Sequence, residues 1–187
     1  MEVTGIILAG GKSSRMGTDK GLLKLNGKSM VEYVIDALTE MCSRVLIVSN
    51  NIEYRRYGID VVKDIYEDKG PLGGLYSGLM NSNSQVNICV SCDIPNVNAD
   101  VFKFLLCHIE NYEVILPSYK DRLHPLMGVY SSNCSSIFET QIKNNLLKVE
   151  TACKLMNYKT VELTEIDFDK SVFDNVNTLD DFNKIKK

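Results

Sequence analysis

The chain has 187 residues, 44% of them hydrophobic, which suffices for one domain over 1–187 with a central sheet covered by helices on both faces. Its formal net charge of -3 at pH 7 argues against nucleic acid or an acidic membrane as a partner, because both need a basic surface. The N-terminal apolar run is too short for a signal peptide or a membrane span, so we expect a cytoplasmic protein.

The first predicted strand, over 3–9, ends at two adjacent glycines. Gly10 and Gly11 lack Cβ atoms, so the loop after the strand can bring its N–H groups close to an anion. The same loop adds hydroxyl and cationic donors, namely Lys12, Ser13, Ser14, Arg15 and Lys20. We therefore expect this loop to bind a polyphosphate.

Two other phosphate-binding motifs do not fit this spacing. A P-loop would place four residues between its glycines, and the interval from Gly5 to Gly11 holds one residue too many. The dinucleotide fingerprint G-x-G-x-x-G is not matched either, since Gly10, Gly11 and Gly17 are spaced differently.

Strands and helices alternate downstream of the loop. An Asn26-Gly27 turn precedes an amphipathic helix that opens with a capping box of Ser29 and Glu32, and further apolar strands are predicted over 44–49 and 60–63. This alternation predicts an α/β fold with three layers, α/β/α, and a mainly parallel, Rossmann-like sheet. Ligands of such sheets bind at the carboxyl ends of the strands.

Polar residues at strand ends are therefore site candidates. Asp64 closes the third strand, although such an aspartate can also simply form a turn. Residues 70–75, GPLGGL, are too glycine-rich for regular structure, so we expect a loop that leads into a helix over 75–80. Asp93 follows a strand over 86–92, where its carboxylate can hold Mg²⁺ while a triphosphate supplies other oxygens.

The six cysteines are scattered through apolar stretches, which predicts reduced core thiols. Cys89 and Cys92 have C-x-x-C spacing, but residues three apart in a strand point to opposite faces. We therefore expect neither a redox site nor a zinc site there.

The C-terminal half continues the alternation, with helices over 98–108, 132–142, 146–156 and 179–185 and strands over 113–117, 124–130 and 160–163. His124 has no serine, cysteine or acid partner at triad spacing, which favours a site-lining role over that of a general base. Asn175 and Asn177 alternate in an extended segment, so their amides lie on one side of it.

These motifs, taken together and in order, resemble those of the molybdenum cofactor guanylyltransferase family of nucleotidyltransferases. Residues 8–20 match L-A-G-G-x-S-x-R-M-G-x-x-K, and the later blocks are G-P-L-x-G-L at 70–75, C-D-x-P at 92–95, H-P-x-x-G-x-Y at 124–130 and F-x-N-x-N-T at 173–178. Relatives that act on sugar phosphates or transfer cytidylate tend to show Ala-Gly or Ala-Ala-Gly in place of the double glycine.

The resemblance implies transfer of GMP from MgGTP to the terminal phosphate of Mo-molybdopterin, with release of pyrophosphate. It implies catalysis by Arg15, Lys20 and Asp93, with Mg²⁺ on Asp93. It also implies that Asn175 and Asn177 contact the pterin and that Lys148 faces the anionic acceptor. The full set of binding residues implied is Leu8, Ala9, Gly10, Gly11, Ser13, Lys20, Asp64, Pro71, Leu72, Gly73, Asp93, His124, Lys148, Asn175 and Asn177.

Two alternatives stay open from the sequence. One is a cytidylyl- or sugar-phosphate nucleotidyltransferase of the same fold, and the other is a nucleotide-binding regulator without turnover, against which the presence of Lys20 and Asp93 argues. Residues 48–50, Val-Ser-Asn, depart from the family pattern and leave open which residue contacts the sugar or base. Beyond GTP and molybdopterin, we expect transient contacts with proteins that deliver molybdopterin or mature molybdoenzymes.

Overall fold

The computed structural model describes residues 1–10, 19–164, 167–173 and 176. The strands in this part of the chain are β1 (Val3–Leu8), β2 (Lys24–Leu25), β3 (Lys28–Ser29), β4 (Arg44–Val48), β5 (Asp60–Val62), β6 (Val86–Ser91), β7 (Val114–Tyr119), β8 (Arg122–Leu123), β9 (Met127–Ser131) and β10 (Tyr158–Glu162). The α-helices are α1 (Met30–Thr39), α2 (Gly70–Asn81), α3 (Ala99–Leu106), α4 (Cys134–Lys143) and α5 (Val149–Cys153). None of these helices has the length and apolar character needed to cross a membrane.

The main sheet has the order β10-β7-β9-β6-β1-β4-β5, and β8 pairs with β7 outside this path. β1 lies between β4 and β6 and is parallel to both, while β5 is parallel to β4 and β10 to β7. β9 is antiparallel to β6 and β7, and β8 is antiparallel to β7. Six strands therefore present their carboxyl ends at one edge, which confirms a mainly parallel sheet.

Helices cover both faces of this sheet and give the predicted three layers. Neighbouring residues of β1 point to opposite faces, so Ile7 packs with α1 and α3 while Ile6 packs with α2 and α4. Cys89 and Cys92 also fall on opposite faces, as predicted, and all six cysteines are free thiols.

The expected loop over 70–75 is wrong, because α2 already begins at Gly70. Pro71 stands in the first turn, where its missing N–H is not needed. The later glycines are packing residues: a Cβ at Gly78 would overlap the Ile6 side chain, and one at Gly74 would lie 3.3 Å from Leu8 Cδ2. The glycines thus let α2 approach β1 closely rather than interrupting the helix.

Outside α2, the local sequence motifs predict the starts of helices and turns correctly, but they predict the ends of helices less well. The capping box of Ser29 and Glu32 is present, and Asn98 caps α3 by accepting from the Asp100 N–H at 2.7 Å. Asn26 and Gly27 take positive φ angles in the turn between β2 and β3. By contrast, α3 ends at Leu106 and α5 covers only five residues of the helix expected over 146–156.

The strand expected over 124–130 starts only at Met127. The His124 N–H donates to the Pro117 carbonyl at 3.0 Å, and the His124 carbonyl accepts from the Met127 N–H at 3.0 Å, which closes a turn around Pro125. Proline cannot donate to a ladder, so pairing resumes after it. The helix expected over 179–185 lies outside the described residues.

Candidate functional site

A cavity of about 570 Å³ opens at the carboxyl ends of β1, β4 and β5, and we call it the strand-end cavity. Its walls come from these strand ends, from the segment after β4, from the residues that follow β5, and from the first turns of α2. The described residues that line it are Leu8, Ala9, Gly10, Asp19, Val48, Ser49, Asn50, Asn51, Asp64, Asp68, Lys69, Gly70, Pro71 and Gly74.

Backbone hydrogen bonds continue the sheet beyond its last formal pairs and make the floor of the cavity. The Ala9 N–H donates to the Val48 carbonyl at 3.0 Å, and the buried Ser49 hydroxyl donates to the Ala9 carbonyl at 2.8 Å. A Cβ built on Gly10 would lie 3.7 Å from Asp64 Oδ2. The expected contact residues Ala9, Gly10 and Asp64 are therefore neighbours.

Asn50 and Asp64 form a pair on one wall of the strand-end cavity. Asn50 Nδ2 donates to Asp64 Oδ2 at 3.4 Å, and the Asp64 N–H donates to Asn50 Oδ1 at 3.2 Å. Burial, assisted by the charge of Glu67, raises the pKa of the Asp64 carboxyl. Residues 48–50, which depart from the family pattern, thus contribute two side chains here. Asn50 points towards Asp64, and Ser49 hydrogen-bonds to the backbone at the floor of the cavity.

Asp19 is a cavity residue that the sequence reasoning did not single out. Its Oδ1 accepts from the Tyr54 hydroxyl at 2.5 Å and from the Gly21 N–H at 3.2 Å, and its Oδ2 accepts from Asn51 Nδ2 at 3.0 Å. The only sequence signal was its position next to Lys20, because Tyr54 and Asn51 lie more than thirty residues away.

The charges of Asp93, Asp19 and Lys20 all act on the buried thiol of Cys92. Burial raises the pKa of this thiol, the charges of Asp93 and Asp19 raise it further, and the charge of Lys20 opposes them. The Cys92 N–H donates to the Leu8 carbonyl at 3.0 Å, so Asp93 follows directly at the end of β1. Asp19, Lys20 and Asp93 therefore all lie within electrostatic range of Cys92.

The Asp93 carboxylate has a buried Oδ1 atom without a hydrogen-bond partner among the described residues. A buried polar atom of this kind is uncommon in a folded protein, which makes this oxygen a candidate to bind a ligand. Within the same residues, no group of three or more His, Cys, Asp and Glu side chains is arranged to hold a metal by itself. A cation held by Asp93 could take further oxygens from a substrate or from water.

An aromatic cluster, defined here as Tyr119, His124, Phe168 and Phe173, lies beyond the carboxyl end of β7. Phe173 is its centre: the Tyr119 ring stacks on it at 4.6 Å between centroids, and the His124 ring lies 4.6 Å away. Burial, with a smaller contribution from Arg122, lowers the pKa of His124, whose buried Nε2 has no partner in the described part of the chain.

The aromatic cluster is connected to Asp93 through the chain. Three residues after Phe173, the Val176 N–H donates to the Asp93 carbonyl at 2.9 Å. Phe173 thus lies beside the ring of His124, and Val176 lies at the backbone of Asp93. Asn175 and Asn177 themselves, like Gly11, Ser13 and Arg15, lie outside the described residues.

Six of the predicted binding residues that the structure describes do not line the strand-end cavity. Two of them, Lys20 and Asp93, lie near Cys92 instead. Leu72 is fully buried between α2 and the sheet, and a Cβ on its neighbour Gly73 would press on the stem of Lys69. His124 belongs to the aromatic cluster. The Lys148 side chain is 74% exposed and lies 3.6 Å from the Glu150 carboxylate.

Residues 5–152 match the family model described as the MobA-like NTP transferase domain. A relative from Clostridium perfringens strain 13, named a probable molybdenum cofactor guanylyltransferase, is 36% identical to this chain and is aligned over 97% of this chain and 94% of its own length.

Solved structures share the fold at lower identity. Molybdopterin-guanine dinucleotide biosynthesis protein A from Archaeoglobus fulgidus superposes with a TM-score of 0.84 at 21% identity, covering 98% of this chain and 96% of that one. The 4-diphosphocytidyl-2C-methyl-D-erythritol synthase of Anaerococcus prevotii superposes with a TM-score of 0.78 at 10% identity, covering 99% and 94%. These likenesses show the fold alone.

Proposed function

Since the chain belongs to the MobA-like NTP transferase family and is therefore a nucleotidyltransferase, we propose that it transfers GMP from GTP to the terminal phosphate of Mo-molybdopterin. Pyrophosphate is the second product. The observation that carries the proposal is the strand-end cavity, which joins Gly10 after β1 to Asp64, Asn50 and the start of α2. We place the reaction in the cytoplasm, where the expected maturation proteins would meet the enzyme.

The chemistry of the cavity wall suits guanine. Guanine presents the N1–H and N2–H₂ donors beside its O6 acceptor, whereas adenine has only the N6 donor on that edge. Asp64 and Asn50 supply oxygen acceptors on one wall, and the backbone of residues 8–10 lies opposite the first turn of α2. A base without donors for these acceptors would bind less tightly.

The transfer step needs little proton chemistry. An oxygen of the acceptor phosphate attacks the α-phosphorus of GTP in line, a new P–O bond forms, and the bond to the pyrophosphate oxygen breaks. The nucleophile is already anionic, so the protein has to position the two phosphates and neutralise their charge. In this proposal Lys20 stands where donor and acceptor meet, and Arg15 with the N–H groups of the glycine loop binds the triphosphate.

Asp93 is the residue proposed to hold Mg²⁺. Its unpartnered buried oxygen and the lack of a complete ligand set among the described residues both fit an ion that is shared with substrate phosphates. When bound, Mg²⁺ would neutralise charge on the triphosphate.

The acceptor is proposed to lie on the side of the aromatic cluster. His124 would line this subsite, and Asn175 and Asn177 would meet the pterin ring with their amide groups. The contact of Phe173 with His124 and the hydrogen bond from Val176 to Asp93 support this assignment, because they lead the chain towards Asp93. Lys148, which is solvated and close to Glu150, adds no support.

The proposal is tested first by nucleotide selectivity. Calorimetric titration of the wild type should show GTP binding at least tenfold more tightly than CTP, ATP or UTP, since a lost hydrogen bond to a charged group such as the Asp64 carboxylate costs about 1.5 to 3 kcal/mol. Stronger CTP binding would instead indicate a cytidylyltransferase. GTP binding without GMP transfer to added molybdopterin would indicate the regulator.

A further inference from the structure

The Asp19 carboxylate lies on the wall of the strand-end cavity, yet three donors from the protein occupy it. Oδ1 accepts from the Tyr54 hydroxyl and from the Gly21 N–H, and Oδ2 accepts from the Asn51 amide. Asp93 differs, because its buried Oδ1 has no such donor among the described residues. Of two carboxylates near one cleft, Asp93 is suited to an external cation and Asp19 is already held by the protein.

The donors of Asp19 belong to a firmly built turn after β4. Tyr54 is 0% exposed and lies in the 3₁₀ helix Ile52–Tyr57, and Asn51 caps that helix by accepting from the Glu53 N–H at 3.0 Å. The same Asn51 side chain uses its amide nitrogen for Asp19. Burial raises the pKa of Tyr54 well above its ordinary value, so its hydroxyl remains a donor.

The turn after β4 packs tightly against Gly21, the residue that follows Lys20. A Cβ on Gly21 would overlap the Tyr54 hydroxyl and would lie 3.1 Å from Cys92 Sγ. The Leu22 N–H donates to the Asp19 carbonyl and the Leu23 N–H to the Lys20 carbonyl, both at 3.1 Å. The backbone on both sides of Lys20 is thus held.

We infer that Asp19 is a positioning residue for Lys20. Asp19 accepts hydrogen bonds from Tyr54, Asn51 and the Gly21 N–H, and these bonds fix the backbone from which the Lys20 ammonium reaches the reacting phosphates. We call these four residues, Asp19, Gly21, Asn51 and Tyr54, the clamp. The inference rests on the proposed GMP transfer, in which Lys20 acts. Its reason is that an ammonium held in place before the reaction costs less to use than one that must be ordered during it.

Tyr54→Phe is the sharpest test, because the removed hydroxyl is buried behind Asp19. We expect kcat for GMP transfer to fall about tenfold, while the Kd for GTP stays within about twofold, as for an interaction made mainly in the transition state. Tyr57→Phe is the matched control: Tyr57 is in the same 3₁₀ helix, its ring lies 6.3 Å from that of Tyr54, and its hydroxyl contacts Ser29 and Arg56 instead. It should leave kcat within about twofold.

Double mutants show whether the effect passes through Lys20. In a Lys20→Ala background, adding Tyr54→Phe should change the remaining rate by no more than about twofold, since residues that act as one unit are not additive. Equal losses from Tyr54→Phe with and without Lys20 would overturn the inference. So would a Tyr54→Phe enzyme whose only defect is a large rise in the Mg²⁺ concentration required, because Asp19 would then be acting as a metal ligand.

A second measurement needs no turnover and separates this inference from the proposed function. In protein labelled with ¹³C-lysine, the Lys20 signal is assigned with Lys20→Arg. Tyr54→Phe should shift that signal and Tyr57→Phe should leave it in place. If the wild type transfers no GMP, the proposed function fails while the clamp is judged by this signal alone. An unmoved Lys20 signal in a folded Tyr54→Phe variant overturns the clamp.

Discussion

The strand-end cavity and the aromatic cluster lie along the same edge of the sheet but are built in different ways. The cavity rests on the ends of the parallel strands β1, β4 and β5, with aspartates, amides and backbone groups on its walls. The aromatic cluster joins the end of β7 to the turn before antiparallel β9 and to Phe168 and Phe173 near the C-terminus. The two proposed subsites lie on separate elements, so mutations can perturb one without the other.

The difference also suggests which ligand each region suits. Acceptors and backbone groups around Asp64 match the hydrogen-bonding edge of a base, whereas stacked rings beside the half-buried His124 match a flat heterocycle. Asp93 stands between the two, since it follows β6 beside the end of β1 and its carbonyl accepts from Val176. The comparison therefore predicts one shared centre and two separable subsites.

The largest effect is expected at that shared centre. Asp93→Asn removes the negative charge but keeps the size of the side chain, so the fold should remain and kcat should fall by about a hundredfold or more. Activity is measured across a Mg²⁺ titration, with thermal unfolding as the check on folding. Near-normal activity at limiting Mg²⁺ would show that Asp93 is not the metal ligand.

A smaller and more selective effect is expected on the acceptor side. Replacing Asn175 and Asn177 together with Ala should weaken acceptor binding at least tenfold, because each lost buried amide partner costs about 1 to 3 kcal/mol. GTP binding should be unchanged, since the strand-end cavity is made by other segments. The measurement is guanylylation of molybdopterin-loaded enzyme, with GTP affinity as the control. Poor GTP binding with normal use of the acceptor would place the asparagines on the nucleotide side.

The smallest effect concerns pH and the aromatic cluster. Burial lowers the pKa of His124, so below about pH 6.5 the unfolded chain takes up a proton more readily than the folded chain. The resulting loss of folding stability is absent above that pH and grows as the pH falls towards the folded-state pKa of His124. Urea unfolding at pH 7.5 and 5.5 should therefore show a greater loss of stability for the wild type than for His124→Asn. Equal losses would mean that His124 is not held in its neutral form.

Much of this molecule follows from local sequence. The apolar runs, the capping box of Ser29 and Glu32 and the Asn98 cap specify their elements through contacts that span only a few residues. The alternation of strands and helices specifies the parallel sheet, and the sheet then specifies that Gly10, Asp64 and Asp93 come to one edge. The order of the motifs was enough to indicate the family as well.

Tertiary structure decided what depends on distant partners. Six residues of GPLGGL had suggested a loop, yet they form the start of α2, since Gly74 and Gly78 are needed where that helix presses on Leu8 and Ile6. Leu72 fell inside the core for the same reason. Asp19 could not be recognised from its own sequence neighbourhood, because the Tyr54 hydroxyl and the Asn51 amide that donate to it lie in the segment after β4. Hydrogen bonds and close packing between remote segments exist only once the chain has folded, and sequence spacing does not contain them.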